Sequence, residues 1–442
     1  MEETSVVVTG LGVVTPIGVG VAPFWRNLRA GVSGIKPVTP YDPVLEPIKY
    51  AAEVDPAEFE PIRYLTRNKQ LKLLTRHSQF AMAAAKMAVD DARLSRHAID
   101  PNRMGVYLGT LFGQPSVKDN LDVIFAAESA NTPGTMDPAK YGIYFAEHVN
   151  PIDNLKNITN LIACQIAIAH DARGSVNTFI DTCTAAAQAI GSAYRAIQRG
   201  EADVMLAGGA EGSIFRQCLI DFFLLFPVAS GELVSTRAVC RPFDVRRRGF
   251  VPGEGAGVVV LENLKTARQR GAKIYGRLKG YGLSYGCRTT DAPKTISTTG
   301  FAMQKALEDA GIDASQVDYI NANGDSTIMG DRLETTAIKR TFGDHAYRIP
   351  ISSTKSMTGH LLPASGAVEL IASLLALRDN IIPPTINYEY PDPECDLDYV
   401  PNHARERELN IVLSNSMGWF GQSASLIVEK YRDPDTVARN SI

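Results

Sequence analysis

Short apolar runs alternate with longer segments of helix-spaced apolar positions along the whole chain. The runs Ser5–Val8, Gly105–Gly109, Val176–Ile180, Val204–Ala207, Gly257–Leu261, Tyr319–Ala322, Ile349–Ser352, Asn410–Leu413 and Ser425–Val428 predict strands. Between them, His77–Ala92, Thr184–Arg199, Gly300–Ala310, Asp331–Phe342 and Ser365–Arg378 predict helices. Strands and helices in alternation predict an α/β fold. Residues 112–160 interrupt the rhythm; they are polar and irregular and predict an insertion placed to pack on a partner subunit. The segments Gly253–Leu264 (GEGAGVVVLENL) and Gly418–Tyr431 (GWFGQSASLIVEKY) both pass from a glycine loop into a strand followed by acidic and polar residues. That echo predicts two similar α/β halves, 1–268 and 269–442, with Lys265–Lys273 as a hinge and a loose polar tail from Asp433.

Within this pattern Cys183 stands where a strand breaks into a helix. Val176, Phe179 and Ile180 before it suit a buried strand, and the alanines from Ala185 to Ala196 after it suit a closely packed helix. A thiol at a helix N-terminus feels about half a positive charge, which favours the thiolate. The backbone N–H groups there are free to hold an oxyanion. The position therefore suits a nucleophile that accepts an acyl group. It equally suits a buried structural cysteine, since free cysteine is among the most buried residue types.

Composition narrows the classes. With 45% hydrophobic and 21% charged residues in 442, the chain is an ordinary globular protein. A net charge of −3 argues against a general nucleic-acid binder and leaves any basic docking patch local. The six cysteines are scattered without a C-x-x-C pair and the seven histidines form no H-x-x-x-H pair, so no metal site is expected. No apolar run is long enough to span a membrane, and the opening MEETSVVVTG does not read as a signal peptide, so a cytoplasmic protein is expected. GGAEG and GEGAG lack the spacing of a dinucleotide or P-loop fingerprint and are expected to be tight turns.

A set of ordered motifs goes further: VVVTGLGVVTPIG (Val6–Gly18), DTCTAAAQAIG (Asp181–Gly191), ADVMLAGGAEG (Ala202–Gly212), RPFDVRRRGFVPGEGAGVVVLE (Arg241–Glu262), INANGDSTIMGDRLET (Ile320–Thr335), SSTKSMTGHLLPASGAVE (Ser352–Glu369), PPTINYEYPDPECDLDYVP (Pro383–Pro401) and LSNSMGWFGQSASLIV (Leu413–Val428). With these the chain closely resembles the elongating β-ketoacyl-acyl-carrier-protein synthases and the type II polyketide ketosynthases, over about residues 5–430. The resemblance implies a thiolase fold: two βαβαβαββ halves in a layered α/β sandwich, paired as a homodimer or as a heterodimer of related chains. It implies that Cys183 takes the acyl group, that His360, Lys355 and Glu369 form the machinery around it, and that the N–H groups of Cys183 and Trp419 make the oxyanion hole. It places Thr290 and Thr327 near the pantetheine arm, Phe112 in the acyl pocket at the subunit interface, and Lys72 and Arg237 at positions that dock an acyl carrier protein. It implies no cofactor beyond the phosphopantetheine that the carrier brings, and a short or unusually shaped acyl group.

The chain departs from this pattern at three places. Where the family reads N-A-H-G-T-S-T, this chain reads NANGDST, with Asn323 for the first catalytic histidine and Asp325 for a threonine. An amide donates a hydrogen bond but carries no titrating proton. Asp325 adds negative charge where an enolate or a malonyl carboxylate has to sit. In the C-terminal loop, G-F-G-G-T-N becomes GWFGQS, which puts Trp419 and Phe420 at the acyl entrance. Phe112 shortens the pocket. Three functions remain open: decarboxylative condensation with malonyl carrier protein, non-elongating transfer to another thiol, hydroxyl or amine, and a non-catalytic partner of another ketosynthase. Retention of Cys183 favours an acyl-accepting protein.

Overall fold

Gly10 and Gly12 explain how the chain begins. They lie inside a strand, Val6–Thr15, whose ten residues are all buried. A Cβ on Gly12 would stand 1.8 Å from the Ala84 carbonyl, so a helix backbone packs directly on the strand there. The apolar pattern alone predicts a strand only to Val8, because the buried face beyond it is glycine rather than Val or Ile.

The computed structural model describes residues 5–433 apart from 45, 95–98, 112–122, 130, 131, 133, 149, 157, 232–234, 236–238 and 287–291. The framework runs β1 (Val6–Thr15), α1 (Arg76–Asp91), β2 (Met104–Thr110), α2 (Leu161–His170), β3 (Val176–Ile180), α3 (Ala185–Gln198), β4 (Val204–Glu211), β5 (Gly255–Asn263), β6 (Gly276–Tyr285), α4 (Ala292–Ala310), β7 (Tyr319–Asn321), α5 (Ile328–Phe342), β8 (Ile351–Ser352), α6 (Ser365–Asp379), β9 (Ile411–Met417) and β10 (Gln422–Glu429). The strands form one mixed sheet in the order β8-β7-β9-β10-β6-β1-β5-β4-β2-β3, with the short strand Gly18–Val19 folded back on β1.

This order contains a repeat. Reading outward from the centre, β1-β5-β4-β2-β3 and β6-β10-β9-β7-β8 carry the same sense at every step: antiparallel, antiparallel, parallel, parallel. The two sets meet only over Val6–Val8 against Gly276–Leu278. The repeat extends to packing: Gly280 and Gly282 of β6 lie against Ala306 and Ala302 of α4 as Gly10 and Gly12 lie against Ala88 and Ala84 of α1. Helices α3 and α6 form the inner layer and touch strands of both sets, with α1 and α2 outside one set and α4 and α5 outside the other. Every residue of α6 from Ser365 to Leu377 is buried, as a helix packed between the two strand sets requires. No helix among the described residues is long and apolar enough to cross a membrane.

Four expectations need correction. Val176 and Ile180 of β3 are 37% and 62% exposed, because β3 is the edge of the sheet and has a ladder partner on one side only. Lys265–Lys273 is no hinge: Leu264–Gln269 is a helix capped by the Asn263 side chain, with Leu264 and Ala267 buried and Arg270 paired to Glu262. Residues 112–160 are not simply irregular, since Pro138–His148 and Pro151–Lys156 are helices. Their apolar residues, such as Ile143, Ile152 and Leu155, face outward, so no stripe buried within this chain announces them. Strand β6 escapes the sequence pattern because its buried face reads Gly276, Leu278, Gly280, Gly282, Ser284.

Candidate active site

Strand β3 ends at Ile180 and α3 starts at Ala185, so Cys183 sits in the turn at the helix N-terminus. Asp181 shapes that turn. Its carboxylate accepts hydrogen bonds from the Thr182 N–H at 2.7 Å, the Thr184 hydroxyl at 2.7 Å and the Gln188 amide. Gln422 adds a fourth, at 2.8 Å, and so ties the 418–422 loop to the nucleophile turn.

His360 arrives from the other half. Its main chain pairs with Val251 and Gly253, and its Nε2 lies 3.0 Å from Cys183 Sγ. The Leu362 N–H points at Nδ1 from 3.2 Å, helped by a left-handed backbone at Leu362 (φ 48°). An N–H aimed at Nδ1 requires a lone pair there, and the Ser365 hydroxyl 3.0 Å away also suits an acceptor. The proton of the neutral ring is thereby placed on Nε2, which donates toward sulfur. Burial, followed by the Lys355 cation, holds the His360 pKa well below its ordinary value. Burial pushes the Cys183 pKa well above its own, the Lys355 cation opposing and the carboxylates of Asp325, Asp181 and Glu369 adding to it. The buried pair is thus neutral at rest, and His360 is a hydrogen-bond donor to Cys183 rather than its base. Neither the Cys183 nor the Trp419 backbone N–H has a protein hydrogen-bond partner among the described residues.

Asn323 follows β7 and is 2% exposed. Its Oδ1 accepts from Lys355 Nζ at 3.3 Å and from the Met417 N–H at 3.2 Å. Both neighbours are donors, which fixes the amide orientation and leaves its NH₂ as a donor for something else. Lys355 Nζ also bonds the Asn323 carbonyl at 2.6 Å and Glu369 Oε1 at 2.5 Å. Burial raises the Glu369 pKa and the Lys355 cation opposes it; Glu369 Oε2 has no partner among the described residues. Behind them Glu334 accepts the Asn323 and Gly324 N–H groups and the Asn415 amide, each at 2.8 Å. Asp325 is buried, its Oδ1 2.9 Å from the Thr327 N–H. Thr327 Oγ1 caps α5 by accepting the Gly330 N–H at 3.0 Å.

Trp419 closes over this group. Its ring stacks on Phe226 at 3.8 Å and meets Phe222, Phe250 and His360 at 5.9, 5.4 and 6.3 Å. Phe420 is 44% exposed at the outer end of the same cluster. Lys72 is exposed, in a 3₁₀ turn (Asn68–Leu73). Thr290, Arg237 and Phe112 lie outside the described residues. Sequence reasoning missed Leu362, Ser365, Gln422, Phe226 and Phe250. None of the five left a local signal, since each acts through contacts distant in sequence or through its own backbone turn. No cluster of metal-ligating side chains occurs among the described residues.

Comparison with known proteins adds to this geometry. Residues 3–267 match the family described as beta-ketoacyl synthase, N-terminal domain, and residues 275–389 match its C-terminal domain. A 3-oxoacyl-[acyl-carrier-protein] synthase 2 of Coxiella burnetii is 39% identical over 98% of this chain and 100% of its own length. Among solved structures, the ishigamide ketosynthase/chain length factor superposes with a TM-score of 0.83 at 33% identity, covering 97% of this chain and 99% of that one. A ketosynthase solved in complex with its type II PKS acyl-carrier protein superposes with a TM-score of 0.81 at 32% identity, again over 97% and 99%.

Proposed function

The chain belongs to the beta-ketoacyl synthase family, and from that premise we propose how its residues divide the work. The protein is an acyl-transferring condensing enzyme of fatty-acid or polyketide biosynthesis. The Cys183 thiol attacks a carrier-bound thioester, its proton passing to the departing carrier sulfur, so that an acyl-cysteine and the carrier thiol are formed. A malonyl carrier thioester then loses CO₂, and its electron pair becomes an enolate whose oxygen is held by His360 Nε2–H and the Asn323 amide. The enolate carbon attacks the acyl carbonyl, whose oxyanion is held by the Cys183 and Trp419 N–H groups. Collapse releases a lengthened β-ketoacyl carrier and the Cys183 sulfur, which takes up a proton from solvent to restore the neutral thiol.

The observation that carries this division is the 3.0 Å contact of Cys183 Sγ with a ring whose proton is placed on Nε2. Lys355 and Glu369 are positioning residues: they hold Asn323 with its amide NH₂ free. The phosphopantetheine arm arrives on the carrier, and no cofactor of the enzyme's own enters the scheme. The exposed edge strand β3, with Ile180 62% exposed, supports a second ketosynthase-family chain paired along that edge. The described cysteines are all free, which supports a reducing, cytoplasmic setting.

One observation favours a second function. The Asp325 carboxylate is buried close enough to Cys183 to act on its thiol, and it opposes a second carboxylate there. That suits non-elongating transfer to a neutral or cationic acceptor. The two are separated by mixing the protein with an acyl carrier and malonyl carrier protein and reading carrier masses and CO₂. A carrier lengthened by a β-keto unit is expected. Acyl-enzyme with no lengthened carrier and no CO₂ would assign the non-elongating function instead.

A further inference from the structure

Asp325 is a carboxylate that the protein leaves without a counter-ion. It is only 8% exposed. Its Oδ1 accepts the Thr327 N–H at 2.9 Å, and its Oδ2 has no partner among the described residues. The cations on the neighbouring backbone are engaged elsewhere. Lys355 Nζ directs its three protons at the Asn323 carbonyl, Asn323 Oδ1 and Glu369 Oε1. The five N–H bonds of Arg247 go to Thr327, Asp244, Asp392, Ile328 and Cys395. Arg241 is paired with Asp244 and Glu389. A buried carboxylate with one N–H partner and no cation is destabilising, and a positively charged ligand offsets that.

The carboxylate is also held in place. Asp325 lies between Gly324 and Ser326, whose backbones are left-handed at φ 38° and 70°. Ser326 is locked in that strained form. Its N–H donates to Asp331 Oδ1 at 3.2 Å, its hydroxyl accepts the Arg241 N–H at 3.0 Å and its carbonyl accepts the Gly249 N–H at 3.0 Å. Gly330, in the first turn of α5, makes room for both carboxylate oxygens: a Cβ there would stand 2.9 Å from Oδ1 and 3.3 Å from Oδ2. The helix N-terminus beside it favours the ionised form. Three carboxylates act on Cys183, Asp325 more strongly than Asp181 or Glu369. Asp181 accepts four hydrogen bonds, and Glu369 is paired with Lys355 and has its other oxygen fully enclosed. His360 presents an N–H to the sulfur and its Nδ1 lone pair to Leu362. Asp325 is therefore the group beside the acyl site with an oxygen left to take a proton.

We infer a further activity: the ammonium group of a primary-amine acceptor pairs with Asp325, and acyl-Cys183 acylates its nitrogen. One ammonium proton passes to the Asp325 carboxylate and frees the nitrogen lone pair. Nitrogen attacks the thioester carbonyl, and the oxyanion is held by the Cys183 and Trp419 N–H groups. The C–S bond breaks, the Cys183 sulfur takes a second proton from nitrogen, and an amide leaves. Asp325 then gives its proton to solvent. This rests on the acyl-Cys183 function proposed above and names the acceptor class of its non-elongating branch. The same charge repels a malonyl carboxylate, so Asp325 sets the balance between amide formation and condensation.

The ammonium site is tested first, without any acyl donor. Cys183 is labelled with 2-aminoethyl methanethiosulfonate, which carries an ammonium, and with its 2-sulfonatoethyl analogue, which carries a sulfonate. Labelling is read by intact mass with peptide mapping in wild type, Asp325→Asn and Asp325→Thr; the Asn variant keeps the shape of the side chain. The ratio of cationic to anionic labelling rates is expected to be about tenfold higher in wild type than in either variant. An equal ratio in all three proteins would overturn the ammonium site. Acyl-Cys183, formed from a short acyl-N-acetylcysteamine thioester, is then offered n-propylamine or malonyl carrier protein. Wild type is expected to release the N-propyl amide about tenfold faster than either variant, while both variants lengthen the malonyl carrier faster than wild type. Amide released equally by all three proteins, or none by wild type, would overturn acyl transfer to amines. Failure of Cys183 to take an acyl group from any donor, with the cation preference intact, would refute the acyl-accepting function and leave the ammonium site standing.

Discussion

In the first half of the molecule the inner helix α3 starts two residues after Cys183; in the second, the inner helix α6 starts five residues after His360. Both helices follow the strand at the far edge of their own set, β3 and β8. The surroundings are opposite. Cys183 is packed with Leu111, Ile214, Phe222, Phe250 and Leu362. The second half buries Lys355, Glu369, Glu334, Asp325 and Asp331 around Asn323. A duplicated frame thus brings two helix N-termini to one place and loads them differently. The apolar side has room only for a nucleophile and a chain, because an unpaired charge there would be costly to bury. The polar side holds charge because each carboxylate has a cation or N–H partner, and it spends that network on fixing one amide and one ring.

The comparison breaks most visibly if the network is cut. Lys355→Ala leaves Glu369 buried without its cation and is expected to cost about 3–5 kcal/mol of stability, read by denaturant unfolding. Lys355→Met with Glu369→Gln removes both charges and is expected to recover most of that loss while still lowering condensation, because Asn323 loses the donor that orients it. His360→Ala removes a hydrogen-bond donor to developing charge, and condensation is expected to fall about 10²–10³-fold with little change in stability. His360→Gln, which keeps a neutral donor, is expected to recover part of the rate; a base at this position would not be rescued by an amide.

A buried acid in the first half sharpens the contrast. Glu211, at the end of β4, accepts from the Gly212 N–H at 2.6 Å and from the Ser213 hydroxyl, but its Oε2 has no partner among the described residues. Burial pushes its pKa up to about 7, with its hydrogen bonds opposing. A raised acid pKa means that the folded state binds the proton more tightly, so its contribution is intact at pH 4 and is lost as pH rises toward 7. From a reference of 4.5 the loss is about 3 kcal/mol. Glu211→Gln is expected to flatten the fall in stability between pH 5 and pH 8, measured by denaturant midpoints. A variant with an unchanged slope would show that Glu211 ionises freely. The smallest effect is expected at Trp419→Ala, which removes the 3.8 Å stack on Phe226. About 1 kcal/mol and a broader range of accepted acyl lengths are expected, read by acylation with a series of chain lengths.

The sequence made some of this legible and hid the rest for physical reasons. Val204–Ala207 and Gly257–Leu261 announce strands because Val, Leu and Met face two packed layers. Strand β6 is silent because its buried positions are mostly glycine, chosen for the close approach of α4. Cys183 stood out from its strand–helix setting alone. Its contact with His360 spans 177 residues of sequence, and only the resemblance joined the two. The tautomer of His360 was not legible at all, since it depends on the backbone turn at Leu362. The Gln422–Asp181 tie was hidden likewise, because a side-chain bond across 241 residues leaves no local pattern.

The most direct measurement is intact mass spectrometry with peptide mapping of the protein after mixing with a short acyl carrier thioester, before any malonyl carrier is added. One acyl group per chain, mapped to Cys183 and absent from Cys183→Ser after thiol-reactive capture, is the expected result. An unmodified chain with every donor tried, or an acyl group mapped to another residue, would contradict the assignment of Cys183 as the acyl-accepting nucleophile.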